Sequence, residues 1–399
     1  MIVQKEYEPA TGEEVTLKQE KRKKQYGYFD YSLLFVWIFI MLLGYVLLYS
    51  ASSYTALNKY GDAAYFLKGQ IKATAIGLVF MLPAVFMDYR LLKNFKTLIY
   101  GVSIGSVFLV LTPLGLELNG AKRWVDLKIV QFQPAEVVKI GVIIMTAYIL
   151  SRCGTHAIKK GKLCWQIYCV TLLGAGLVYI LTSNLSSAII IAGIGAIMII
   201  VAGAGKYFTG TISIGLVVAI IGLYIMRDMP QLATLSYRLE RIAVWKNPEN
   251  FLDGRGKGYQ PLQGLYAIGS GGIFGKGLGN SAQKLGFVPE ATNDMIFSII
   301  CEELGIFGAV CIILLFVFMI RRMRVIASNA PDMFGSMLVV GVLAHISLQV
   351  VLNIAVVTTV IPNTGVSLPF ISYGGTSLLF LMIEMGMVLS VSRKIKRIR

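Results

Sequence analysis

Long apolar runs, separated by short polar gaps, set the pattern of this chain. The first runs from Tyr31 to Ser52. Nine more follow at about 70–88, 97–115, 135–151, 165–182, 185–203, 208–226, 295–320, 335–359 and 367–392. A helix needs about 20 predominantly apolar residues to cross a bilayer. The pattern therefore predicts an all-α integral membrane protein of ten transmembrane helices. Residues 1–30 read as a polar tail, 31–392 as one ten-helix domain and 393–399 as a second, basic tail. One large loop, about 227–294, interrupts the series.

Composition agrees: 56% of the residues are hydrophobic and 15% charged, against roughly a quarter charged in soluble domains. That excludes an ordinary soluble enzyme, a disordered chain and a coiled coil. The N-terminal segment ends in Lys21-Arg22-Lys23-Lys24 and lacks a short apolar core with a cleavage site, so the first run reads as an uncleaved signal anchor. The net charge of +16 is read as cytoplasmic loops facing anionic membrane lipid, not as nucleic-acid binding. Both tails and the gaps holding Arg90, Lys93, Arg152, Lys159, Arg321 and Arg324 fall on one side of a ten-span topology. By the positive-inside rule both termini are cytoplasmic and loop 227–294 is extracellular. No disulfide is expected. Cys153 and Cys164 fall in a cytoplasmic gap and Cys169, Cys301 and Cys311 in spans, each read as a small buried hydrophobe. Their spacing matches no metal site; a divalent cation stays open.

Ionisable side chains inside a span are expensive, and each is a site candidate or packed polar glue. Glu136 and Lys139 lie three apart in the fourth span and can pair. Glu302 and Glu303 lie in the eighth, with Asp294 at its mouth and Glu302 about 12 Å deeper at 1.5 Å per residue. His345, Gln349 and Asn353, spaced by four, form one stripe of the ninth span; Glu384 lies in the tenth. Most of these groups converge on the outer half of the bundle, with His345 and Glu384 deeper.

The outer loops add further candidates. Asn119-Gly120 is a turn signal; Lys122-Arg123-Trp124 after it suits interfacial anchoring or a phosphate contact. Arg238 and Arg241 share a cationic face if helical. Gly269 to Gly279 fails both nucleotide-loop templates and reads as close-packed backbone. Pro362, Pro369 and Gly374-Gly375 break the helix around Ser372, which at membrane depth requires burial in protein or a cavity wall. With no ATP site, a bond-forming substrate must carry its own leaving group, as a polyprenyl pyrophosphate-linked sugar does. Asp294 is the best-placed general base; a free Asp has a pKa of about 3.9, so it is expected ionised.

Several of these motifs together resemble the SEDS family of bacterial cell-wall proteins, the FtsW/RodA/SpoVE group. They are Asn119 to Trp124, Gln133-Pro134-Ala135-Glu136 with Lys139, Gly271 to Gly279, Pro289-Glu290, Asp294, Glu302 to Gly305 and Pro369 to Ser377. The resemblance implies a peptidoglycan glycosyltransferase in the bacterial plasma membrane. It polymerises lipid II for division, elongation or sporulation, beside a class B penicillin-binding protein transpeptidase. It implies Asp294 as the catalytic base, with Lys139 paired to it, and Lys122, Arg123, Arg238 and Arg241 on the donor pyrophosphate. Trp124, Glu136, Glu302 and Ser372 complete the expected substrate site. Thr292-Asn293 and Asn184-Leu185-Ser186 depart from the usual family residues at their positions. A lipid II flippase and a non-catalytic scaffold for the transpeptidase are the alternatives.

Overall fold

The computed structural model describes residues 25–118, 121–128, 131–152, 162–203, 210, 237–252 and 258–398. Seven helices lie in its first two thirds: α1 (Tyr31–Tyr60), α2 (Tyr65–Phe86), α3 (Leu91–Phe108), α4 (Pro134–Ser151), α5 (Lys162–Thr182), α6 (Leu185–Val201) and α7 (Tyr237–Lys246). Then come α8 (Tyr259–Gly271), α9 (Ile296–Ser328), α10 (Met333–Val357) and α11 (Gly375–Arg393). Among the described residues, eight helices are long and apolar enough to cross a membrane: α1 to α5 and α9 to α11; α6, at 17 residues, is shorter. The predicted span 208–226 falls almost wholly outside the described residues, as does the Asn119-Gly120 turn.

Helix ends follow the sequence. Asp30 caps α1 by accepting the Leu33 N–H at 2.9 Å, Asn184 caps α6 through the Ser187 N–H at 3.0 Å and Asp332 caps α10 through the Gly335 N–H at 2.8 Å. Each satisfies a donor that the helix itself cannot pair. Pro134 opens α4, where its missing N–H costs nothing.

The bundle turns apolar side chains outward as well as inward. Phe86 is 69% and Ile180 71% exposed, as lipid-facing residues are. Cys169 and Cys311 are exposed too, so they are not the buried hydrophobes expected; Cys301 is, and the side chains of Cys153 and Cys164 lie outside what is described. The centre is α4 and α10, both largely buried, with α3, α6 and α11 packed around them.

Among the described residues, two small sheets accompany the helices. β2 (Gly115–Leu118), β3 (Ala121–Asp126) and β4 (Gln131–Phe132) form an antiparallel sheet between α3 and α4. β1 (Gln25–Gly27) pairs antiparallel with β5 (Lys396–Ile398). Their join is reinforced by Asp30, which accepts from Arg322 at 2.6 Å while its N–H donates to Ser392 Oγ at 2.8 Å.

α9 is a broken helix. Gly305 sits at φ 68° and ψ −171°, a region essentially reserved for glycine. The break frees carbonyls and N–H groups, and the glycine segment after α8 takes them up. Lys276 N and Gly277 N donate to Glu302 O and Glu303 O, both at 2.9 Å; Ile306 N and Phe307 N donate to Gly272 O and Ile273 O, both at 3.0 Å. This satisfies the requirement that irregular backbone in a bilayer be paired within protein. It also explains the glycines: a Cβ on Gly271 would lie 2.0 Å from Cys301 O.

Candidate active site

Asp294 ends the segment that enters α9, and its position is fixed mainly through backbone. Asn353 Nδ2 on α10 donates to Asp294 O at 2.8 Å and to Val366 O at 2.7 Å. Ser372 Oγ donates to Asn293 O at 2.6 Å and accepts the Leu368 N–H at 2.8 Å. Tyr373 N donates to Thr292 O at 2.9 Å. The proline-glycine stretch before α11 thus clamps the two residues ahead of Asp294. Ser372, one of the expected substrate-site residues, is a buried pin in that clamp.

The Asp294 carboxylate is 8% exposed. Gln260 Nε2 on α8 reaches its Oδ1 at 3.4 Å. Burial pushes the carboxyl up to about 7, and the nearby Glu290 charge adds to this; backbone hydrogen bonding, Gln260 and the Arg241 guanidinium oppose it. The carboxyl is therefore not the ordinary, fully ionised aspartate expected from sequence. A base with a pKa near the working pH is better matched to proton transfer.

A cavity of about 120 Å³ is lined by Gln260, which reaches Asp294, by Met295, the next residue, and by Arg241, Trp245, Thr359 and Asn363 among others. Arg241 and Trp245 come from α7, as the expected helical turn requires; Arg241 Nη1 donates to Asn363 O at 3.1 Å and Trp245 Nε1 to Thr359 O at 2.6 Å. Arg238 lies three residues before Arg241 on the same helix, and its side chain lies outside what is described. Gln260 and Trp245 were not singled out in the sequence; only their helices' positions in the fold reveal them.

Lys139 is placed differently from expectation. Its ammonium is held by Glu136 Oε1 at 2.7 Å and His345 Nε2 at 3.0 Å and forms no ion pair with Asp294. Both sit in the first turns of α4, where i, i+3 spacing favours their own pair. Glu302 is also engaged within the chain. Its carboxylate accepts from Lys276 Nζ at 2.6 Å, Ser270 Oγ at 3.2 Å, Ala282 N at 3.2 Å and Gln283 N at 3.3 Å, and from Ser281 Oγ. It anchors the 276–284 loop. Glu303 does the same through Lys284 Nζ at 2.8 Å. Lys122, Arg123 and Trp124 stand on β3: Lys122 is exposed, the other two half-buried, and Arg123 Nη2 reaches Ser183 O at 3.4 Å.

A second, larger space opens between α2, α3, α4 and α11. It is an almost wholly apolar groove of about 660 Å³, lined by Phe80, Val102, Leu109, Val137, Phe380 and Ile383 among others.

Comparison with known proteins decides the family. The FtsW/RodA/SpoVE family, described as cell cycle proteins, matches residues 30–397. The chain belongs to the FtsW/RodA/SpoVE family. Among its relatives, stage V sporulation protein E of Bacillus subtilis is 35% identical, covering 91% of this chain and 97% of that one. A probable peptidoglycan glycosyltransferase FtsW of Trichlorobacter lovleyi is also 35% identical, over 92% of this chain and 94% of that one. Among solved structures, a chain of a peptidoglycan synthase complex that coordinates polymerization and crosslinking superposes with a TM-score of 0.71 at 26% identity, covering 92% of this chain and 98% of that one. The rod shape determining protein RodA of Thermus thermophilus gives 0.63 at 26% identity, over 92% and 97%. In this FtsW/RodA/SpoVE member, the described parts of the motifs read from sequence fall on the helices and on the segments that join them.

Proposed function

We propose that this chain is a peptidoglycan glycosyltransferase that polymerises lipid II on the outer face of the bacterial plasma membrane. Its ten spans leave both termini cytoplasmic and the 227–294 loop outside. The observation that carries the reading is the buried Asp294 carboxyl, reached by Gln260, which together with Arg241 lines a cavity. The relatives named for this activity support it.

In this reading the acceptor sugar's hydroxyl gives its proton to Asp294. The hydroxyl oxygen then attacks the donor's anomeric carbon, and the bond to pyrophosphate breaks as the polyprenyl pyrophosphate leaves. Gln260 orients the carboxylate; Arg241, with Arg238 on the same helix and Lys122 and Arg123 on β3, faces the leaving pyrophosphate. The apolar groove between α2, α3, α4 and α11 takes the polyprenyl chain, since apolar walls suit an apolar ligand. Lys139 is held by Glu136 and His345. A class B penicillin-binding protein transpeptidase works beside the chain, as the synthase-complex likeness favours.

The test is lipid II polymerisation by the purified chain, with and without that partner, against Asp294→Asn. Glycan strands are expected from the unaltered chain, with a drop of about 10²-fold or more in the variant, the usual weight of a general base. Equal strands from both would remove Asp294 as the base. Strands from neither would return the choice to translocation or scaffolding.

A further inference from the structure

The end of the bundle at which β1 meets β5 carries many cations. Among the described residues, each carboxylate there is already taken: Asp88 by Lys394 at 3.0 Å, Asp332 by Arg90 at 2.9 Å and Asp30 by Arg322 at 2.6 Å. One cluster at this end has no carboxylate. Lys96, in the second turn of α3, lays its ammonium over the Tyr148 ring of α4, 4.1 Å from the centroid. Arg152, just past the end of α4, lays its guanidinium over the same ring at 5.8 Å. Lys93 is exposed one turn before Lys96. A ring attracts a cation but leaves its net charge whole. Among the described residues none of the three cations has an ion-pair partner, and the Tyr148 hydroxyl has no hydrogen bond.

The chemistry of the cluster selects an anion. An ammonium and a guanidinium only donate, and a phenol hydroxyl can donate as well. Its height in the bundle selects which anion. Tyr100 on α3 donates through its hydroxyl to Val170 O on α5 at 2.8 Å, which levels the two helices. Lys96 lies four residues before Tyr100 and Trp165 five before Val170, so at 1.5 Å per residue they stand at about the same height. Trp165 is exposed at the start of an apolar span, and tryptophan so placed marks the headgroup level of a bilayer. The anion abundant at that level is lipid phosphate. Asp294 lies before the far end of α9, whose near end holds Arg322 against Asp30. The cluster is therefore remote from the candidate active site.

We propose that Lys96, Arg152 and Tyr148, with Lys93 beside them, bind the phosphodiester of an anionic glycerophospholipid between α3, α4 and α5. The guanidinium and the ammonium share its two unesterified oxygens, as charge-assisted donors do, and the Tyr148 hydroxyl donates to one of them. The ring holds both cations in place before the lipid arrives, which lowers the ordering cost of binding. In the topology proposed above this is the cytoplasmic leaflet, whose anionic lipids attract basic side chains.

The test titrates palmitoyl-oleoyl phosphatidylglycerol into the purified full-length chain in neutral detergent and reads bound lipid by native mass spectrometry. Binding is read directly, so the result stands apart from the polymerase reading. Phosphatidylcholine with the same acyl chains should bind about tenfold more weakly, because its choline sets a like charge against the cluster. Lys96→Gln and Arg152→Gln should each weaken phosphatidylglycerol about fivefold, the weight of one basic residue at an anionic membrane surface. Lys96→Arg keeps the charge and should bind like the unaltered chain. Arg321→Gln and Arg324→Gln remove exposed cations from the same end of the bundle and should leave the affinity unchanged. Equal affinity for the two lipids would overturn the proposal. So would a loss from the Arg321 and Arg324 variants as large as that from Lys96→Gln, which would mean a diffuse field and no site. Soluble glycerol 3-phosphate binding as tightly as the whole lipid would make it a site for free phosphate. Melting temperatures without lipid show which variants fold; should Lys96→Gln fail, Arg152→Gln against the Arg321 and Arg324 variants still decides.

Discussion

A carboxyl taken out of water holds its proton more tightly, because the charged form loses hydration. At Asp294 a second carboxylate adds to this. Glu290, itself in a left-handed conformation with φ 54°, turns the chain so that Asn293 N and Met295 N both donate to its carbonyl and its charge bears on Asp294. The sign for activity follows. The base must be ionised, so kcat/KM for strand synthesis should rise with pH and level off above about 7. In Glu290→Gln the repelling charge is gone, and the rise should move to lower pH. A pH–rate profile of the two chains checks this; an unmoved acid limb would assign the shift to burial alone. The identity of Asp294 was legible in the sequence, its tuning was not. The spacing to Glu290 was visible, but the turn that brings the two together was not. At the Thr292-Asn293 departure both residues hold the clamp through their carbonyls, and Asn293 Nδ2 also donates to the Glu290 carboxylate.

At the scale of elements, the break in α9 shows what a glycine pattern can and cannot reveal. The sequence marked Gly269 to Gly279 as close-packed backbone, and it is. What it packs against, the Leu304-Gly305 break twenty-five or so residues onward, had no local signal, since Glu302-Glu303-Leu304-Gly305 reads as ordinary helix. The same holds for Glu302: a carboxylate in a span looks functional until the loop that fills it is seen. Gly305→Ala should be costly, because the conformation is strained for any side chain by about 1–3 kcal/mol and the new Cβ would lie 2.3 Å from Ile273 O. The expected outcome is a melting temperature lowered by several degrees in detergent, with Gly269→Ala, which meets open space, as the control left unchanged.

At the scale of the whole molecule, apolar run length alone located the eight described helices long enough to cross a membrane, because a bilayer forces every backbone group of a crossing helix to be paired within its own segment. Limits moved where charge misled: Arg321, Arg322 and Arg324, read as a loop, are the last turns of α9, and the tenth run is helical only from Gly375. The groove was not legible at all. Its walls come from α2, α3, α4 and α11, and no local pattern says which distant helices stand side by side.

The pairing of β1 with β5 carries a consequence of a different kind. A chain whose first and last strands are hydrogen-bonded to each other is closed like a ring, and a ring threaded through a sheet must pass through it an even number of times. Ten crossings meet that parity; nine or eleven would not. It follows that reporters fused to the two ends must share a compartment. A fluorescent protein that folds only in the cytoplasm should light up at either end. Fluorescence at one end alone would mean that the two strands never meet.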